Sequence, residues 1–136
     1  MTPAQSAMTR GFARALGPFL VIFAATIASR SAEMGAIASG FFQDGPLALV
    51  TAAFTFGIGC AMLAAHHHFN SLASVVITVF GIVTTLRGAL LAISPRSLAP
   101  LVEHFLAQPG VILIPVTIAV LIGAYLSFIG WFAKKA

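Results

Sequence analysis

The chain has 136 residues, of which 60% are hydrophobic and only 7% are charged. Soluble domains carry about 25% charged residues, so this composition excludes a water-soluble protein. The formal net charge is +4, but the basic residues are scattered and form no basic face that would bind nucleic acid. The mean hydropathy of +1.05 instead predicts an integral membrane protein in contact with the lipid bilayer.

Four apolar segments predict an all-α fold, a bundle of four transmembrane helices near residues 12–30, 46–67, 71–93 and 110–133. The hydrocarbon core of a bilayer needs about 20 apolar residues per crossing, which these segments reach or approach. The first segment resembles a signal peptide because Arg10 and Arg14 precede an apolar run, but we expect an uncleaved helix. Residues 1–136 then form a single integral membrane domain.

The links between the predicted helices alternate in length. The second link, near His66–Asn70, is very short and predicts a tight antiparallel hairpin, whereas residues 30–45 and 94–110 form long links. In the third link one helical face is apolar and comprises Leu98, Leu101, Val102, Phe105 and Leu106. This pattern predicts a short interfacial helix within residues 94–108, and the first link repeats it more weakly.

The two long links suggest an internal duplication. Ser29–Ser31 leads through a surface segment to a helix that carries Gly59, and Pro95–Ser97 leads likewise to a helix that carries Gly123. Two tandem hairpins of this kind would form a parallel repeat about an axis along the membrane normal. Chance similarity between apolar sequences is the alternative.

The distribution of charge predicts the orientation. Four crossings place both termini on one side, with Arg10, Arg14, Lys134 and Lys135, while Arg30, Arg96 and all three acids lie on the other. Because Lys and Arg favour the cytoplasmic side, both termini are predicted to be cytoplasmic. Trp131, beside the C-terminal lysines, is the expected interfacial anchor.

Small residues recur at every fourth position on two of the predicted helices. The stripes are Gly57, Ala61 and Ala65 on the second helix, and Ala119, Gly123 and Ser127 on the fourth. Such stripes let helix backbones approach closely within a membrane. The simplest interpretation is packing inside one bundle, and the alternative is pairing with another subunit.

His66, His67 and His68 form the one dense cluster of candidate ligands. Imidazole can bind haem iron, a chlorin magnesium or a metal ion. Consecutive helical residues point in different directions, however, and paired ligands on a helix favour spacings of three or four. The cluster is therefore either a titrating helix end at the water interface, an axial haem or chlorin ligand, or a labile surface metal site. No cofactor is favoured.

Arg87 lies about 9 Å inside the predicted end of the third helix. A charge at this depth needs a partner or a route to the headgroups. It is expected either to extend towards the headgroups, to pair with Glu33, Asp44 or Glu103, or to bind an anion.

The sequence lacks the residues that membrane enzymes and proton relays need. No acid or lysine lies within a predicted span, and no catalytic triad, paired-cysteine, metalloprotease or phosphate-loop motif occurs. We therefore expect a protein that is not an enzyme. An oligomer could line an anion pathway only with threonines, namely Thr51, Thr55, Thr84 and Thr85, and with Arg87 at one mouth.

Three segments carry a resemblance: Arg10–Phe12 with Leu16–Gly17, Leu63–His67, and Gly88 followed by Pro95. Together they resemble a family of small four-helix bacterial inner-membrane proteins of unknown function. The second helix of that family closes on a Leu-Ala-His-Asn-like motif, and His67 stands here in place of the Asn. The resemblance implies the four-helix topology and a bacterial inner membrane, but no activity or cofactor.

Three functions remain open from the sequence. The first is a non-enzymatic accessory subunit or assembly partner of a larger membrane complex, formed with other subunits or with copies of this chain. The second is a haem-, chlorin- or metal-binding protein that uses the histidine cluster. The third is an oligomeric anion channel or carrier.

Overall fold

The computed structural model describes residues 2–133, which form six α-helices joined by short connections. They are α1 (Pro3–Ser29), α2 (Met34–Gln43), α3 (Gly45–Ala65), α4 (Leu72–Ile93), α5 (Pro95–Leu106) and α6 (Pro109–Trp131), with a 3-10 turn at Ser31–Glu33. Four of these, α1, α3, α4 and α6, are long and apolar enough to cross a membrane. The prediction of an all-α, four-helix membrane bundle is confirmed, and the chain is a multi-pass integral membrane protein.

The first transmembrane helix begins much earlier than the apolar pattern predicts, at Pro3 rather than near residue 12. Thr2 caps it, because the Thr2 hydroxyl accepts from the Gln5 amide and the Gln5 side chain accepts from the Thr2 amide. Pro3 fits the first helical position, where no amide donor is needed. The other span boundaries agree with prediction within two residues, and Lys134 and Lys135 lie outside the described residues.

Both long links contain helices, and these two short helices pack against each other. Helix α5 lies within residues 94–108, where a short helix is predicted, and α2 fills most of the first link. They cross closely at Gly35, where an added β-carbon would lie 3.3 Å from the Cα of Ala107. The short helices therefore cover one end of the bundle together.

The long helices form two close pairs, α1 with α6 and α3 with α4. Glycines allow the close approach in both. A β-carbon at Gly123 would lie 2.9 Å from the Gly17 carbonyl oxygen, and one at Gly59 would overlap the backbone of Thr85. In lipid, such backbone proximity supplies the dispersion contacts that associate helices.

Helices α1–α3 and α4–α6 repeat one arrangement with an offset of 64 residues. Each buried residue of α1 and of α3 has a buried counterpart 64 positions later: Thr9 and Ala73, Ala13 and Ile77, Gly17 and Gly81, Ala24 and Gly88, Ala48 and Ile112, Ala52 and Val116, Gly59 and Gly123, and Met62 and Leu126. The packing of the helices repeats as well. Helix α1 packs on α6, and their counterparts α4 and α3 pack on each other. This agreement supports the internal duplication and a pseudo-two-fold relation between the halves.

The two helix pairs meet at the end of the bundle where α1 and α4 begin and where α3 and α6 end. The buried core at this end comprises Ala13, Met62, Ala73, Ile77 and Leu126, with Phe12 and Tyr125 among the side chains packed around it. Next to this apolar core the structure places the first residue of the histidine cluster.

Candidate functional site

His66 is the residue at which α3 ends, and its ring turns into the bundle. Its backbone is extended, with φ −145° and ψ 102°, while its amide still donates to the Met62 carbonyl oxygen at 2.7 Å. The side chain is 0% exposed. Of the three environments considered for the cluster, a freely titrating interfacial position therefore does not describe His66.

Two threonines from different helices engage the His66 ring. Thr9 on α1 lies 2.9 Å from Nε2, and its hydroxyl proton goes to the Gln5 carbonyl oxygen, also at 2.9 Å. Nε2 must then carry the ring proton and donate to Thr9. Nδ1 lies 3.3 Å from the Thr78 hydroxyl on α4, whose proton goes to the His68 carbonyl oxygen at 3.1 Å.

The surroundings of this ring favour the neutral imidazole. Phe12 packs edge-on against it with centroids 5.6 Å apart, and His68 lies at the same centroid distance on another side. His66 lies one residue beyond the apolar span of α3. Burial, and to a lesser extent the nearby His68, lowers the pKa of His66 below its usual value.

This arrangement is well suited to holding helices together and poorly suited to coordination. Both ring nitrogens of His66 lie against threonine hydroxyls in a residue that is 0% exposed, so neither is open to a metal or haem iron. No group of three or more His, Cys, Asp or Glu side chains within residues 2–133 is arranged to hold a metal ion. A cofactor would depend on His67, which is exposed and bonded through Nδ1 to the Leu63 carbonyl oxygen, and on the half-buried His68.

Thr9 and Thr78 were not identified as site residues from the sequence. Thr9 precedes the predicted first span, and a threonine inside a helix such as Thr78 ordinarily bonds to its own backbone. The signal that could have found Thr78 is its place two turns after Ser71, the residue that caps α4. No local pattern points to Thr9, because its contact joins residues 57 positions apart.

The repeat shows that this position is polar in both halves but differs in chemistry. At an offset of 64 residues, Arg14 corresponds to Thr78 and Gly130 corresponds to His66. These two residues are also in contact, because the Arg14 Nε donates to the Gly130 carbonyl oxygen at 2.7 Å. The Arg14 guanidinium also lies 5.7 Å from the ring centroid of Trp131, the expected interfacial anchor. The helix-to-helix contact at this position therefore involves an imidazole in one half, and a cation with a backbone carbonyl in the other.

The two small-residue stripes lie in different environments. On α6, Gly123 and Ser127 contact Gly17 and its neighbours on α1, and Ala119 is half-buried. On α3, Gly57 and Ala61 are exposed and Ala65 is half-buried. A β-carbon at Gly57 would meet no atom within 4 Å. The residues of α3 that pack against α4 belong to another face, which includes Gly59.

Arg87 is exposed on α4, and no acidic side chain of the described residues forms an ion pair with it. Glu33 instead binds Arg30 at 2.9 Å. Asp44 caps α3 by accepting from the Leu47 amide at 3.0 Å. Among the threonines proposed to line an anion pathway, Thr85 donates to the Gly81 carbonyl oxygen of its own helix.

Comparison with known proteins adds no relative, because no family model, no curated protein and no solved structure matches this chain. The likeness to small four-helix bacterial proteins stays an expectation. Functional inference therefore starts from the internal repeat and from the surfaces that the bundle leaves uncovered.

Proposed function

We propose that this protein is a non-enzymatic accessory or assembly subunit of a larger membrane complex. The observation that carries the proposal is the uncovered small-residue face of α3. Gly57 and Ala61 lie on it, and Ala53, Cys60 and Ala64 extend it along the helix, all of them exposed. A membrane helix with a smooth, narrow face can bring its backbone close to another helix, which is how helices associate in lipid.

The repeat supports a specific role for this face. At the corresponding positions, α6 carries the bulky side chains Leu121 and Phe128, which are 65% and 63% exposed. The fold therefore accepts large side chains here, and small residues are not required for packing within the bundle. Small residues at the α3 positions that match Leu121 and Phe128 favour contact with a helix of another chain, either a different subunit or a second copy.

The chemistry of the buried polar site supports a structural role over a catalytic one. Thr9 and Thr78 each direct a hydroxyl proton to a backbone carbonyl, and their partner His66 is closed off from solvent. A general base needs a lone pair within reach of substrate, and this buried ring exposes neither nitrogen. We propose on the same basis that the chain has no enzymatic activity of its own.

We further propose a location in the bacterial inner membrane with both termini in the cytoplasm. Arg10 and Arg14 support this orientation, because they lie where α1 begins, at the end of the bundle that also carries the histidine cluster. The acids Glu33, Asp44 and Glu103 all lie at the opposite end, where Glu33 pairs with Arg30.

The test is purification from native membranes in a mild detergent, followed by mass spectrometry of co-purifying proteins. We expect the wild-type chain to migrate as a complex larger than its 14.1 kDa mass. The double variant Gly57→Leu/Ala61→Leu should release the chain from that complex, because two added side chains would hold the partner helix away.

Ala25→Leu is the matched control, since Ala25 is an exposed alanine on α1 away from the small-residue face. It should co-purify as the wild type does. Migration of the wild-type protein as a lone monomer without any partner would refute the proposal. Equal recovery of partners with the double variant would refute the assignment to α3.

A further inference from the structure

A cleft of about 360 Å³ opens at the end of the bundle that carries the short helices. Its walls come from the last turn of α2, the first turns of α3, the end of α4 and the start of α5. Ala48 and Leu91 form a buried floor, while Leu49 and Ala92 lie at its open, apolar side. The volume falls in the range of about 300–1,000 Å³ that is typical of small-molecule sites.

The position of this cleft corresponds to the boundary between hydrocarbon and headgroups. Two apolar spans terminate at it, because α3 begins at Gly45 and α4 ends at Ile93. Arg96 and Gln43 lie at its polar rim and are exposed. An apolar interior joined to a cationic rim at this depth matches an amphiphile with an acyl chain and an anionic headgroup.

The internal repeat provides a comparison within the same chain. The counterpart of Ala48 is Ile112, which is 1% exposed and fills the equivalent position with a larger side chain. The link of the other half also carries an arginine, Arg30, but that residue is paired with Glu33. The small floor residue and the unpaired cation are therefore features of one half only.

The acidic side chains near the cleft form no ion pair with Arg96. Asp44 lies between the cleft residues Gln43 and Gly45, and its Oδ1 accepts from the Leu47 amide as the cap of α3. Glu103 forms no ion pair with Arg96. Arg87 lies one helical turn before Leu91 of the cleft floor, so it adds a second cation at the same end of α4. Guanidinium groups bind phosphate oxygens through two parallel hydrogen bonds.

We propose that this cleft binds one anionic phospholipid, with an acyl chain over Ala48, Leu91 and Ala92 and the phosphate at Arg96. The inference does not depend on a partner protein, because every group that it uses belongs to this chain. Binding would be selective for anionic over zwitterionic lipid, since Arg96 at the rim forms no ion pair with Asp44 or Glu103.

The test places the full-length protein in nanodiscs of phosphatidylglycerol and phosphatidylcholine in equal parts. Native mass spectrometry then identifies the lipid that stays bound after transfer to detergent. We expect one retained phosphatidylglycerol per chain. Arg96→Gln should reduce that retention by about tenfold, which corresponds to the loss of one charge-assisted interaction. Ala92→Leu should reduce it as well by filling the apolar side.

Two controls separate this site from general lipid contact. Arg30→Gln removes an exposed arginine from the same end of the bundle, and Ala25→Leu adds the same bulk on α1; both should retain phosphatidylglycerol as the wild type does. Helical circular dichroism and the elution volume show that each variant is folded. Equal retention of phosphatidylcholine, or unchanged retention in folded Arg96→Gln, would overturn the proposal.

Discussion

The Nε2–H group of His66 donates to the Thr9 hydroxyl at 2.9 Å, which connects the end of α3 to the first half of α1. The two residues belong to different helix pairs. The core where these pairs meet is otherwise lined with apolar side chains. This polar contact therefore links one helix pair to the other at this end.

Replacing Thr9 with Val should destabilise the bundle by about 1–2 kcal/mol. The substitution keeps the side-chain shape but leaves the buried Nε2–H of His66 without an acceptor, and an unsatisfied buried donor is costly. Unfolding in mixed detergent micelles, followed by circular dichroism, measures the change. Thr26→Val is the control, because the exposed Thr26 hydroxyl bonds only to the Ile22 carbonyl oxygen of its own helix. Equal stability of the two variants would show that the contact contributes nothing.

The stability of the bundle should fall as the solution becomes acidic. The folded-state pKa of His66 lies below the unfolded value of about 6.5, so the unfolded state binds more protons between the two. The contribution of neutral His66 is thus present above about pH 6.5 and is lost as pH falls towards the folded pKa.

The variant His66→Gln isolates this effect, since all other titratable groups are the same in both proteins. We expect it to be less stable than the wild type near neutral pH but less sensitive to acidification. The free energy of unfolding, measured at several values between about pH 7.5 and 5.5, decides the matter. A pH dependence as steep as that of the wild type would assign the effect to other groups.

Two glycines of α3 that are two residues apart should respond in opposite ways to the same substitution. Gly59→Ala places a methyl group against the Thr85 backbone and should cost about 1–3 kcal/mol. Gly57→Ala adds its methyl group in open space and should leave stability unchanged, or raise it by up to about 1 kcal/mol through helix propensity. Unfolding curves in detergent compare them directly. A stable Gly59→Ala protein would contradict the close α3–α4 packing.

The predicted orientation can be tested with single cysteines at Ser39 and Ser97 in a background of Cys60→Ala. Both positions lie in the short helices at the end opposite the histidine cluster. An impermeant thiol reagent added to intact cells should label both. Labelling of either position only after the cells are opened would reverse the proposed topology.

The sequence predicts the spans well because hydropathy alone requires them in lipid, where every backbone group must be bonded within a helix. It misses the early start of α1, since that start depends on the local cap formed by Thr2 and Gln5 and not on hydropathy. It identifies the histidine cluster but not the partners of His66, which are distant in the chain. Regular spacing likewise singles out Gly57, while the glycine that contacts α4 is Gly59, because only the rotation of α3 in the bundle decides which face is inward.

The offset of 64 residues has a consequence for how the second half enters the membrane. Each half contains an even number of crossings, two, so the chain returns to its starting side before the second half begins. A tandem copy of such a unit inserts in the same sense as the first without any change in its flanking charges. Duplication of a unit with an odd number of crossings would have produced an antiparallel second half. The even number of crossings in each half thus accounts for two halves that face the same way, although equivalent positions such as His66 and Gly130 carry different residues.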